Sequence, residues 1–339
     1  MMRRVIELSP SLRSEASPAR WQELLEQSSG ATVFHTLEWA LVLKETFRDL
    51  TIKYILVEDK EGRYVAGMPF ARSTTLFFTT FLSMPFGTYG GPIALQGVED
   101  DAFPFISMAL QGVTRGVLPF SFSCVLYGTP VPLERAVHNA FPRGRKVRAS
   151  THLIDLDSGF KKLWDNAFDK ETRTCARKAQ RSGVTIEENT SLDGAALLHS
   201  LYMKQAAEWG VGRAYPQRLL SKAAELMGEK AKIWVGRLRD VPVCAVLVFY
   251  FRDMAMAWLS GQNAEGRKVC ASHLVYSEIL RHACEKGYGT FNFGSSGKLH
   301  GVRSFKESFG GREYFYSVYA DESTLFRFAR RLKKFTEGP

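Results

Sequence analysis

The chain has 339 residues, 45% of them apolar and 24% charged, a composition that excludes wholesale disorder in a length too great for one ordinary core. No apolar run reaches the roughly 18–20 residues that span a bilayer. The opening MMRRVIELSPSLRSEASPARWQELL lacks the unbroken apolar stretch of a signal peptide, so a cytoplasmic protein is expected. The net charge of +10, with pI near 9.4, favours an anionic partner such as RNA, an anionic membrane surface or a phosphate-bearing substrate. A merely soluble basic protein fits the same numbers.

In chain order, a helix is predicted from about Pro18 to Gln27. A second starts at Thr36, a capping residue, and runs through Trp39, Leu43 and Phe47. TIKYILVEDKEGRYVAGMPFARS reads as two β-rich runs around Asp59-Lys60-Glu61-Gly62, a hairpin. Further strands are expected around Thr74–Ser83, at Gly91–Leu95 and at Ser121–Tyr127, with a helix between Asp101 and Gly116. The basic, Pro- and Gly-containing stretch Phe141–Ser150 reads as the link between two domains.

Beyond the link, HLIDL reads as a strand. A long helical segment, Gly159–Arg181, follows and ends at Ser182-Gly183. Helices are expected near Leu192 and Pro216. AKIWVGRLRDVPVCAVLVFYFRDMAMAWLSG then gives three strands joined by turns at Arg239-Asp240 and Arg252-Asp253. Its order, a strand, a charged turn and an apolar strand, repeats that of YILVEDKEGRYVAGMPFARS, and helices precede both. Two copies of one α/β unit explain the repeat; a chance match between hairpins is the alternative. Ser272–Gly287 reads as an amphipathic helix, TFNFG as a strand and Glu313–Tyr319 as β-rich. Ser323–Phe335 reads as a basic helix with Leu325, Phe328, Leu332 and Phe335 at helical spacing.

Five cysteines, an odd number with no C-x-x-C pair, predict neither a disulfide framework nor a zinc site. Cys244, inside VPVCAVLVF, reads as buried filler. His35, His273 and His300 stand in no metal-ligand spacing, and no metal is expected. Arg173, Arg177 and Arg181 share one helix face, with Lys178 beside them. The row is either a set of phosphate forks or a solvated basic face. Phe305-Lys306 follows the turn Gly294-Ser295-Ser296-Gly297. The lysine there either meets a developing oxyanion or is an ordinary surface residue. The element order of the second half is that of a GNAT-type acyltransferase unit. The loop SGQNAEGRKVCAS has Gly266, Arg267 and Lys268 but not the spaced glycines of a coenzyme A pyrophosphate cradle.

Four segments together resemble the FemAB-type proteins: VFHTLEWALVL, SMPFGTYGGPIAL, TRTCARKAQRSG and FNFGSSGKLHGVRSFKESFGG. The resemblance is nearest to the FemAB-like proteins of Gram-negative bacteria, close to BioF2-like acetyltransferase domains. It implies an α/β (α+β) fold of two tandem GNAT-like domains with mixed, mostly antiparallel sheets flanked by helices. The first would take 1–148 plus 318–339 and the second, carrying the transferase site, 149–317. It implies amide-bond formation by transfer of an aminoacyl or acyl group to the amine of a phosphate-bearing cell-wall or envelope precursor. No cofactor is implied; aminoacyl-tRNA or acyl-CoA would be the co-substrate, and DNA is not an expected partner. Lys306 is implied as the oxyanion stabiliser beside Phe305. Arg173, Arg177, Lys178 and Lys44 are implied as anion contacts, and Tyr215 as a positioning group. Asn292-Phe293-Gly294 departs from the family's D-F-G and removes a carboxylate, and the coiled-coil insertion of some members has no counterpart. Both departures bear on the tRNA donor. Two other readings stand beside it: an acyl-CoA or acyl-carrier-dependent N-acyltransferase, and a non-catalytic basic protein. The latter would bind RNA or the inner face of an anionic membrane through the 327–334 helix and the Arg173 face.

Overall fold

A computed structural model of the protein describes residues 17–75, 78–86, 88–208, 214–297 and 299–328, and the backbone of 2–7. The described residues up to Ala149 and from Tyr316 onward form one compact unit; Ser150–Phe315 form the other.

In the first unit β1 (Met2–Glu7), not anticipated from the sequence, lies antiparallel to β2 (Leu50–Glu58) with Met2 opposite Glu58. Helix α1 (Pro18–Gln27) starts where predicted, with the Ser17 side chain accepting from the Arg20 N–H. It buries Trp21, Leu24 and Leu25, each worth roughly 1.5–3 kcal/mol against exposure. Helix α2 (Leu37–Thr46) is capped by Thr36, which accepts from the Trp39 N–H. The predicted hairpin joins β2 to β3 (Tyr64–Thr75), Ile55 opposite Met68. Its turn is closed by the Asp59 carboxylate, which accepts from the Arg63 N–H at 2.8 Å.

Strand β4 (Phe78–Leu82) continues antiparallel to β3, and β5 (Ile93–Ala94) forms a short pair with it. Helix α3 (Glu99–Thr114) then crosses to β6 (Phe120–Leu126), which runs parallel to β4. Helix α4 (Val131–Ala140), also unanticipated, covers the same core as α3. That core holds Ile55, Met68, Phe70, Phe81, Ile106 and Phe122. The chain's last strand returns to it antiparallel to β6, with Tyr319 opposite Cys124.

The stretch read as a link is in large part strand, β7 (Arg145–Asp155). Arg145, Lys146, Val147 and Arg148 are all exposed. The alternation of burial that marks a strand in sequence is therefore missing from its first half.

The second unit's sheet runs from β7 through β12 (Thr290–Asn292), β11 (Met254–Gln262), β10 (Val241–Phe251) and β9 (Ala231–Leu238) to β8 (Val184–Asn189). Arg239 and Asp240 at the β9–β10 turn have φ of 51° and 64°, as a two-residue hairpin turn matched to strand twist requires. The predicted helix over 159–181 is broken. Helix α5 (Phe160–Lys162) passes into a π-helical turn, Leu163–Ala167, and Phe168 is extended before α6 (Lys170–Arg181). Two side chains make the break. The Asp169 carboxylate accepts from the Thr172 N–H at 2.6 Å as an N-cap, and Phe168 turns into the core edge-on to Phe309.

Helices α7 (Leu192–Glu208) and α8 (Gln217–Leu226) follow as predicted. A Cβ on Gly261 of β11 would lie 2.4 Å from the Tyr202 backbone nitrogen, so only glycine lets α7 approach that strand so closely. After β11 come α9 (Ala264–Lys268), α10 (Ala271–Glu285), α11 (His300–Ser308) and β13 (Arg312–Glu322). Strands β11 and β12 are parallel, joined by α10 as β4 and β6 are joined by α3. Both units thus repeat one order: a three-stranded antiparallel run, a helix, then a parallel strand. This is the mixed α/β fold that the resemblance implies.

Among the described residues no helix is long and apolar enough to cross a membrane. A helical turn starts at residue 324. The rest of the expected terminal helix, and with it most of the proposed 327–334 anion-binding face, lies outside the described residues.

Candidate acyl-transfer site

Helix α11 converts Lys306 from a residue beyond a loop into a buried one. Lys306 is 5% exposed, and its ammonium turns inward to donate to the Gly294 carbonyl at 2.6 Å and the Ser295 carbonyl at 2.9 Å. Two of its three N–H bonds are so used. Burial pulls its pKa down to about 7, because the charged form loses water.

The loop that receives it is built from β12. Asn292, fully buried, accepts at Oδ1 from the Thr151 hydroxyl at 2.6 Å and the Gly294 N–H at 2.8 Å. Gly294 has φ of 73°, and a Cβ there would meet the Ala257 carbonyl at 2.9 Å. The Phe293 N–H donates to the His152 carbonyl at 2.8 Å. The loop's carbonyls are therefore aimed by groups that cannot easily move.

His152 belongs to this site and was missed in the sequence. It is 1% exposed, with Nδ1 3.5 Å from the Ser296 hydroxyl and Nε2 3.6 Å from the Glu307 carboxylate. Burial, and after it the charge of Lys306, lowers its pKa. It is thus a neutral imidazole beside a cation. Nothing in THLIDL marks it, since a histidine at one strand position looks like any core histidine.

The first turn of α6 lies next to this site, because it docks on the end of α11. The Asp169 N–H donates to the Ser308 carbonyl at 2.9 Å, and the Thr172 hydroxyl donates to the Ser308 hydroxyl at 2.7 Å. Arg173 does work that its spacing did not suggest: Nη1 donates to the carbonyls of Trp164, Asp165 and Phe168 and closes the π-helical turn. Arg177 lies over the Trp164 ring, 5.5 Å from its centroid. Lys178 donates to the Lys268 carbonyl at 2.6 Å.

Phe305, expected beside substrate, packs edge-on against His273 at 5.0 Å and Tyr276 at 5.2 Å and belongs to the core's aromatic cluster. Tyr215 is sandwiched between Trp258 and Tyr202, and burial pushes its hydroxyl up to about 12. Lys44 is exposed in the last turn of α2, in the first unit. His35 is a core residue of that unit and His300 is exposed on α11.

In the segment expected to lack a pyrophosphate cradle, five N–H groups bond within the segment. Gly266 donates to the Asn263 side chain, Arg267 to the Asn263 carbonyl, Val269 to Glu265, Cys270 to Arg267 and His273 to Cys270.

Residues 166–307 match the acetyltransferase (GNAT) domain family. No curated protein matches the chain. Among solved structures, FemX superposes with a TM-score of 0.73 at 11% identity, over 98% of this chain and 99% of that one. The C-terminal domain of a putative lysylphosphatidylglycerol synthetase from Agrobacterium fabrum gives 0.58 at 13% identity, over 94% and 95%. A tandem GNAT protein from the clavulanic acid biosynthesis pathway gives 0.57 at 11% identity, over 95% and 98%. Residues 166–307 match a GNAT acetyltransferase domain, the chain shares its fold with FemX and with a tandem GNAT protein, and the protein is an acyltransferase.

Proposed function

We propose that the protein transfers an aminoacyl or acyl group to the amine of an anionic cell-wall or envelope precursor, with Lys306 as the oxyanion donor. The observation that carries this reading is the inward-turned Lys306 ammonium, fixed by two carbonyls with one N–H to spare. The amine attacks an ester or thioester carbonyl, and the third N–H of Lys306 meets the oxygen as its charge develops. The alcohol or thiol then leaves with the proton that the amine gives up. Positioning carries most of this chemistry. Arg177 and Lys178, with Arg181, draw the precursor's anionic group to the α6 face, and Arg173 holds the turn beneath it. Lys44 and Tyr215 serve binding and not chemistry, and contact with an anionic membrane surface would keep the enzyme near a lipid-linked acceptor.

Two donors fit. The absence of spaced glycines in the 260–272 loop favours an aminoacyl ester such as aminoacyl-tRNA; the GNAT domain family favours acyl-CoA. Calorimetry with coenzyme A separates them: a saturable heat selects the thioester, and its absence, alongside transfer from an aminoacyl ester, selects the ester. Under saturating substrate Lys306→Ala is expected to lower turnover about 100- to 1,000-fold. Normal turnover in that variant overturns the oxyanion role.

A further inference from the structure

The fold brings together three metal-ligating side chains that the sequence keeps far apart. Cys175 lies on α6, Cys270 precedes α10 and His273 is in its first turn. The two sulfurs are 3.0 Å apart across 95 positions of sequence. The ligand atoms of all three residues lie within 4.8 Å of one another. This juxtaposition is why cysteine spacing alone predicted no zinc site.

The chemistry of the set is specific. Two thiols and an imidazole suit a soft, thiophilic ion such as Zn²⁺. The His273 ring stacks on Phe309 and meets Phe305 edge-on, and its Nδ1 is buried with no hydrogen-bond partner. An orphaned buried ring nitrogen is costly, and the packing leaves the ring little freedom to escape. Cys270 has φ of 60°, a backbone conformation that glycine fills at least cost and that here carries a thiol.

We propose that Cys175, Cys270 and His273 bind one Zn²⁺ ion. The two thiols each lose a proton to solvent on binding, and their thiolates neutralise the ion's charge. Zn–S bonds of about 2.3 Å in a tetrahedron hold two sulfurs about 3.8 Å apart, so the pair opens by less than about 1 Å. Three protein ligands leave a fourth position for water. The ion would tie α6 to α10 on the side of the core that also seats Phe305 and Phe309, and so brace the helix carrying Lys306. It takes no part in the transfer step.

The test uses the reduced full chain, stripped with a chelator and titrated with Co²⁺. One equivalent is expected to give thiolate-to-cobalt charge-transfer bands and tetrahedral ligand-field bands, both erased by stoichiometric Zn²⁺. Cys175→Ser and Cys270→Gly should each remove the charge-transfer intensity in part and weaken Zn²⁺ more than about 100-fold against a chromophoric chelator. Cys270→Gly also relieves the left-handed backbone, so its fold is secure. Cys284→Ser should leave spectrum and affinity unchanged. Absence of thiolate bands in the wild type, or their full retention in the Cys175→Ser/Cys270→Gly double variant, overturns the site.

Discussion

His35 and His152 are buried imidazoles, one in each unit, and they are closed in different ways. His35 is satisfied on both sides: Nδ1 accepts from the Thr32 N–H at 3.1 Å, and Nε2 lies 2.9 Å from the Gly91 carbonyl. Burial drives its pKa down to about 4, so it stays neutral and acts as a staple between two loops. His152 has no hydrogen-bond partner at Nε2 and stands beside a buried cation. Among the described residues, Glu58 in the first unit and Lys306 in the second are the buried charged side chains other than histidine. Glu58 has Arg20 at 3.8 Å, whereas Lys306 faces neutral carbonyls. One plan of strands and helices therefore serves twice, once with its buried charge facing an arginine and once with a cation held by neutral carbonyls at a cost in stability. Retained cost of that kind is what the transfer site proposed for the second unit calls for.

The sharpest break in this comparison is Lys306→Met. Folded Lys306 titrates near 7 and an unfolded lysine near 10.4. Between these values the unfolded chain holds more protons, so wild-type stability rises with pH across that window. Below it the buried cation is a burden throughout. Replacing it with methionine is expected to stabilise the fold by about 1–4 kcal/mol near pH 6, with the gain fading towards pH 10, as denaturant melts at both pH values would show. Transfer should fall in the same variant. The wild-type rate, which needs the ammonium, should itself decline as pH rises through about 7, and Lys306→Arg should move that decline upward. A Lys306→Met chain no more stable than wild type at pH 6 would mean the cation carries no such cost.

Asn292→Ala should be next in size. It strips one acceptor from two donors, the Thr151 hydroxyl and the Gly294 N–H, at about 1–3 kcal/mol. It should also lower transfer through the loosened Gly294–Ser295 carbonyls. Full activity with lowered melting temperature would make Asn292 a purely structural residue. The smallest effect belongs to the first unit: Thr36→Ala removes the α2 cap at about 1 kcal/mol and should leave turnover per folded molecule unchanged.

Local signals were legible where a residue acts within its own turn. Thr36 caps its helix, Asp59 closes its hairpin and Gly183 ends α6, and each bond lies within four positions. The repeat of the two units was legible for the same reason, since hairpins carry their own turns. The break at Phe168 and helix α11 were not: Phe168 leaves its helix for a contact with Phe309, and HGVRSFKES lies between a glycine turn and a strand that mask its period.

What the sequence by itself determined was the inventory: two α/β units, a basic helix face and a lysine after a glycine–serine turn. What the tertiary structure decided was the meaning of that lysine and its neighbours. By its place in the chain Lys306 reads as either an oxyanion contact or a surface residue, since lone lysines are mostly exposed. It is buried because Gly294 and Ser295, 12 and 11 positions away, supply carbonyls that its own helix cannot. Arg173 reads as a phosphate fork and is spent on carbonyls 5 to 9 positions back. Cys175 and Cys270 read as unrelated and touch. Burial and close approach depend on which distant segments meet, and no local pattern encodes that meeting.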